Sequence, residues 1–133
     1  MNEVFLDTVG MIAVWDETDQ WHAAAHAAYR ALLAQGRRLV TTSFVLCECA
    51  NAAARRPYRS EVYELRKSLV QEQLLVDPTS QEVDEAWAAY EQGEAAEAGI
   101  VDHLSFRVMR RLGSSEAFTN DQHFRAAGFT TLF

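Results

Sequence analysis

The chain has a single lysine (Lys67), two prolines (Pro57 and Pro78) and two cysteines. It has no apolar stretch of the roughly 18 residues needed to span a bilayer. Each scarcity excludes something. The N-terminus lacks a basic segment followed by a long apolar run, so no secretory signal is read and a soluble, cytoplasmic protein is expected. With so few prolines and no repeat, linker or low-complexity tract, residues 1–133 are expected to form one domain around one core. Cys47 and Cys49 flank Glu48 in "LCEC". On a helix that spacing sends the two side chains to roughly opposite sides, which disfavours a mutual disulfide and makes a poor zinc pair. Both are expected as small buried apolar groups.

Positive charge is also scarce. Nineteen acids against twelve bases leave a formal charge of −7, the opposite of the basic surface usual in nucleic-acid binders. The bases are clustered, however: "RRPYR" at 55–59, "RK" at 66–67 and "RVMRR" at 107–111. Acids gathered round a divalent cation would be partly neutralised, one ion taking −7 to −5 and two taking it to −3. The charge therefore weakens a nucleic-acid role without removing it.

What is present is an alternation of short apolar runs and helical stretches. "VFL" at 4–6 reads as a buried strand, followed by "TVGMIAVW" and a polar break, "DETDQ". "WHAAAHAAYRALLAQG" has helical spacing with Gly36 as its stop, and "RLVTT" reads as a second strand. "SFVLCECANAAAR" is expected as a helix capped by Ser43, and "SEVYELRKSLVQEQ" as another capped by Ser60. "LLVD", stopped by Pro78, reads as a third strand. A helix from Ser80 at least to Gln92 follows, then "IVDHLSFRVMRRLG" as a helix ending at Gly113. "EAFT" is a fourth strand, "NDQHFRAAG" a short helix and "TTLF" a terminal strand. The predicted fold class is α/β, a parallel sheet of four to five strands flanked by helices. In open sheets of that kind the binding crevice lies beyond the carboxyl ends of the strands.

Four acids fall at that edge: Asp7 after the first strand, Glu48 in the second turn of the helix after the second strand, Asp102 in the first turn of a later helix, and Asp121 just past "EAFT". Asp7 and Asp121 could each simply cap a helix, and a first-turn aspartate such as Asp102 is favoured by the helix dipole. Glu48 has no base within one turn. Crowded carboxylates repel and raise one another's pKa values, and a divalent cation removes that cost. An all-oxygen set suits Mg²⁺ or Mn²⁺, ions able to activate water and stabilise charge developing on a phosphate.

The strand ending "LDT", the Glu48 followed by Asn51, the late "VDHLSF" and the closing "TNDQHFRAAGF" together resemble the PIN-domain nucleases, and most of all the small VapC-like toxins of bacterial toxin–antitoxin pairs. The likeness covers nearly the whole chain. It implies a metal-dependent endoribonuclease with Asp7, Glu48, Asp102 and Asp121 as the catalytic and metal-holding acids. Thr8, Asn51 and Thr119 would be the polar neighbours, with Mg²⁺ or Mn²⁺ as cofactor and 5′-phosphate and 3′-hydroxyl products. It also implies an RNA substrate, a cognate antitoxin and a homodimer. Arg55, Arg56 and Arg59 are candidate RNA phosphate contacts, or equally a solvated helix end. Gly99 departs from the family pattern, standing where many relatives carry a hydroxyl.

Other enzyme classes fit less well. A haloacid-dehalogenase-type phosphatase needs a second aspartate where this chain has Val9, and a receiver domain needs a late lysine, whereas Lys67 is mid-chain. His22 and His26 share a helix face but lack the glutamate and third ligand of a metalloprotease. His103 and His123 stand beside proposed acids and read as neighbours, not participants. A non-catalytic PIN-like module that binds RNA or a protein partner remains the competing reading.

Overall fold

The computed structural model describes residues 3–133. Its centre is a parallel sheet in the order β2-β1-β3-β4, made of β1 (Val4–Leu6), β2 (Leu39–Val40), β3 (Glu116–Phe118) and β4 (Thr130–Thr131). Val4, Phe5 and Leu6 are all completely buried, as expected of a central strand covered on both faces. Val4 pairs with Leu39 on one side and Glu116 on the other, and the register continues to Leu6 opposite Phe118.

Helices make every crossover. From β1 the chain runs through α1 (Thr8–Trp15) and α2 (His22–Ala34) to β2. It then passes through α3 (Ser43–Ala53), α4 (Arg59–Gln71), α5 (Ser80–Glu91), a single turn α6 (Glu94–Glu97) and α7 (Ile100–Leu112) to β3 on the opposite side of β1. Finally α8 (Gln122–Ala126) leads to β4. The first crossover goes one way from β1 and the second places β3 the other way, so the crevice predicted for such sheets opens between the ends of β1 and β3. The core beneath it holds Phe5, Phe106, Phe118 and Phe124, with Phe106 edge-on to Phe124 at 4.9 Å between centroids.

One close approach fixes the floor of that crevice. A Cβ added to Gly10 in α1 would lie 2.1 Å from the Phe118 carbonyl oxygen. Only a glycine lets α1 come down onto the end of β3, and this brings Asp7 beside Thr119.

Several local expectations are corrected. "LLVD" is not a strand: only Leu75 forms a bridge, parallel to Thr41. The pairing is held to that one residue by Thr41 N–H donating to the Leu74 carbonyl and Val76 N–H donating to the Thr41 carbonyl, and beyond it the Asp77 carboxylate accepts from the Ser43 N–H at 2.6 Å and the Ser43 hydroxyl at 2.8 Å. Ser43 is thus occupied, and Thr42 caps α3, accepting from the Val45 N–H at 3.2 Å. Ser60 is no cap either, since α4 already begins at Arg59. Cys49 is buried as expected, but Cys47 is exposed, because α3 presents that face outward. The "EAAE" stretch after Gly93 is a left-handed turn, with Ala95, Ala96 and Glu97 at φ of 55°, 58° and 62°. No helix of the described residues is long and apolar enough to cross a membrane.

Candidate active site

β1 delivers Asp7 to the start of α1 with only 2% of its surface exposed. Its side chain makes no capping hydrogen bond, so the helix-cap reading fails there. Instead Asp7 Oδ2 accepts from the Thr119 hydroxyl at 2.8 Å. The same Thr119 oxygen accepts from the backbone N–H of Asp121 at 3.1 Å. One fully buried hydroxyl therefore ties the ends of β1 and β3 together and sets two acids relative to each other. Asp121 does cap its helix, with Oδ1 accepting from the His123 N–H at 2.9 Å.

The other two acids come from helices. Glu48 lies on the exposed side of α3 and accepts from the Thr8 hydroxyl at 2.6 Å, which pins α1 to α3. Asp102 sits in the first turn of α7, where the helix dipole favours a carboxylate. A cavity of about 460 Å³ is lined by Asp7, Thr8, Val9, Glu48, Asn51, Asp102 and Asp121. The four acids expected from the sequence, with Thr8 and Asn51, thus share one space. Thr119 lies beneath it rather than in its lining.

No lysine or arginine lines this cavity. Asp7 accordingly has its pKa raised to about 7, by burial first and then by the charges of Asp102 and Asp121, against the lowering effect of the Thr119 bond. Asp102 is also raised to about 7, by burial and then by Asp121 and Glu48. Burial pushes the Cys49 thiol up to about 12, which keeps it from serving as a thiolate ligand. The donor set is carboxylate, amide and hydroxyl oxygen, chemistry that fits a hard divalent cation and not zinc. Among the described residues, however, no group of three or more His, Cys, Asp or Glu side chains is drawn together closely enough to hold a metal ion.

The arginines go elsewhere. Arg59 donates to the Ala54 carbonyl at 3.0 Å, closing the end of α3, and lines an apolar groove of about 730 Å³ between α3 and α4. Arg56 lines a third cavity, and none of Arg55, Arg56 and Arg59 lines the acidic one. His103 is buried against Phe106, and His123 Nδ1 lies 3.2 Å from the Ala95 carbonyl. Sequence reading missed Val9 and Gly10. An exposed valine beside an acid carries no signal, and the need for Gly10 arises only from a strand more than a hundred residues away.

No curated protein sequence matches the chain. Among solved structures, the chain is similar to the toxin VapC20 of Mycobacterium tuberculosis, which cleaves the sarcin–ricin loop. The identity is 25%, the TM-score 0.75, and the match covers 96% of this chain and 97% of the toxin. The model of the PIN domain matches residues 4–130, and the chain belongs to the PIN-domain family.

Proposed function

We propose that the protein is a metal-dependent endoribonuclease acting as the toxin of a toxin–antitoxin pair. The observation that carries this reading is the cavity in which Asp7, Glu48, Asp102 and Asp121 converge without a neighbouring cation. Two of its carboxyls are pushed to about 7, by burial first and then by the neighbouring carboxylates. These four acids would hold Mg²⁺ or Mn²⁺, with Asn51 and Thr8 completing the oxygen lining. When bound, the cation supplies positive charge that lowers the pKa of water and stabilises the negative charge growing on the phosphate.

The chain's own residues do the positioning. Thr119 holds Asp7 and the Asp121 backbone in fixed register, and Thr8 holds Glu48 against the end of α1. A carboxylate not committed to the cation can accept the proton of the attacking water. Arg55 and Arg56, exposed beyond α3, are the cations left to meet RNA phosphates outside the cavity. The family likeness supports, as parts of this reading, a cognate antitoxin, a homodimer and a cytoplasmic setting. The sarcin–ricin loop, which VapC20 cleaves, is the first substrate to try.

The test is cleavage of structured RNAs with Mg²⁺ or Mn²⁺, comparing wild type with Asp7→Asn. Metal-dependent cutting lost in the variant is expected, and equal cutting by both would overturn the four-acid site. A non-catalytic module is the second reading, favoured by the acids standing apart in the absence of metal. It predicts no change in melting temperature on adding either ion, whereas a metal site predicts a rise.

A further inference from the structure

The third cavity, of about 470 Å³, opens where α1 and α3 end. Its walls include Trp15, Asp16, Glu17, Arg56, Tyr58 and Glu61. It belongs to the same pair of helices as the acidic cavity. Thr8 at the start of α1 bonds Glu48 of α3, and Trp15, two turns further along α1 on the same face, stacks on Tyr58 just beyond α3. Seven helical residues separate Thr8 from Trp15, roughly 10 Å. A strand whose phosphodiester enters the acidic cavity therefore brings a nearby base to Trp15.

The chemistry of this cavity differs from that of the acidic one. Trp15 and Tyr58 lie 6.2 Å apart with 26° between their planes, so the indole is braced on one side while it remains half-buried and lines the cavity. The ion pairs among the described residues join Arg37 to Glu116, Arg38 to Glu3 and Arg111 to Glu82. Glu17, Glu61 and Arg56 are left outside them. Asp16 uses Oδ1 alone to accept from the N–H and hydroxyl of Thr18, leaving Oδ2 open. The site thus combines an aromatic platform, acceptor-only carboxylates and one guanidinium.

We infer that this cavity is a base-recognition subsite of the proposed ribonuclease, reading an unpaired guanine close to the cleaved bond. The inference rests on the RNA-cleavage reading for its purpose, though not for its chemistry. Unstacked bases in RNA loops are held by aromatic stacking and by hydrogen bonds to their Watson–Crick edges. Guanine alone presents two adjacent donors on that edge, N1–H and the N2 amino group, and an ionised carboxylate offers two acceptors and no donor. Adenine and cytosine each present a ring-nitrogen acceptor there, and uracil flanks its one donor with two carbonyls, so a carboxylate repels all three. Arg56, in the wall of the same cavity, is the group available to pair with the phosphate of the bound nucleotide.

The test uses the Asp7→Asn protein without divalent ions, so that it does not depend on cleavage. Tryptophan fluorescence is followed during titration with GMP, AMP, CMP and UMP, and Trp15→Phe identifies the reporting residue. GMP is expected to bind about tenfold more tightly than the others. Glu61→Gln combined with Asp16→Asn should remove that preference while leaving the far-ultraviolet circular dichroism and melting temperature unchanged. Equal binding of all four nucleotides, or no binding, would overturn the inference. So would saturable quenching by N-acetylarginine amide with none by GMP, which would assign the cavity to a cationic side chain of a protein partner. RNA cut by wild type with no GMP preference sinks the subsite alone, and a GMP preference with no cutting of any RNA sinks the nuclease reading alone.

Discussion

Asp7→Asn should stabilise the metal-free protein, although Asp7 is the most buried member of the proposed site. Its carboxyl is raised from 3.8 to about 7 in the fold. At about 1.4 kcal/mol per unit, ionised Asp7 costs the folded state on the order of 4 kcal/mol above pH 8. The sign follows from the direction of the shift. Stability is fully present below pH 4, where the carboxyl is protonated in both states, and is lost as the pH rises through 7. Asparagine keeps the acceptor for the Thr119 hydroxyl but must bury an amide, which offsets about half of the gain. A net gain of about 2 kcal/mol is expected at pH 8, or roughly 8 °C in melting temperature for a chain of this size. At pH 4 the ionisation cost is gone and the amide burial stands alone, so the variant should melt roughly 8 °C below wild type and the order of stability reverses between pH 4 and pH 8. The assay is thermal and urea unfolding of both proteins in chelator across pH 4–8. A variant less stable at pH 8, or a difference that does not change with pH, would refute the claim that burial and the neighbouring acids hold ionised Asp7 at a cost to the fold.

Further outcomes follow from the same geometry. Mg²⁺ or Mn²⁺ at about a hundred times its dissociation constant should stabilise wild type by about 2.7 kcal/mol, and Asp7→Asn much less, measured by melting at pH 8. Gly10→Ala should cost about 3 kcal/mol in urea unfolding, because its Cβ would meet a backbone carbonyl at 2.1 Å that no side-chain rotation can clear. The same change should weaken the metal-induced shift, since α1 must lift from β3 and carry Asp7 away from Thr119. Ala96→Gly should raise stability by about 1 kcal/mol by relieving an alanine held at φ 58°. A loss on that substitution would mean that the methyl group packs where the backbone strain is now placed.

The features legible in the sequence were those encoded over a few residues. "VFLD" announced a buried strand ending in a carboxylate, and the alternation of apolar runs and helical stretches announced the parallel sheet with its crevice. The order of Asp7, Glu48, Asp102 and Asp121 then placed all four at one edge, and one cavity now contains them. Cap assignments fared worse. Ser43 and Thr42 are both competent caps, and the choice between them was made by Asp77, thirty-four residues away in sequence. The "LLVD" stretch touches the sheet edge only at Leu75, opposite Thr41, so an apolar run that reads as a strand contributes a single bridge.

What holds the site together was the least visible of all. Thr119 is an ordinary strand-end threonine until the sheet sets it against Asp7, after which a single hydroxyl donates to one acid and accepts from the backbone of another. Gly10 is an unremarkable helix residue until Phe118 arrives above it. Both requirements come from the pairing of β1 with β3, a contact between the two ends of the chain, and no local window contains it. The acids could be found one by one because each needs only a strand end or a helix start. Their mutual placement had to wait for the fold, and it is this placement that makes Asp7 uncomfortable without a cation. Site and stability are therefore one problem here: the contacts that bury Asp7 among its neighbouring acids are the contacts that close the sheet. Any substitution that eases the crowding by loosening β1 from β3 should lower metal affinity and stability together, whereas Asp7→Asn should lower the first and raise the second.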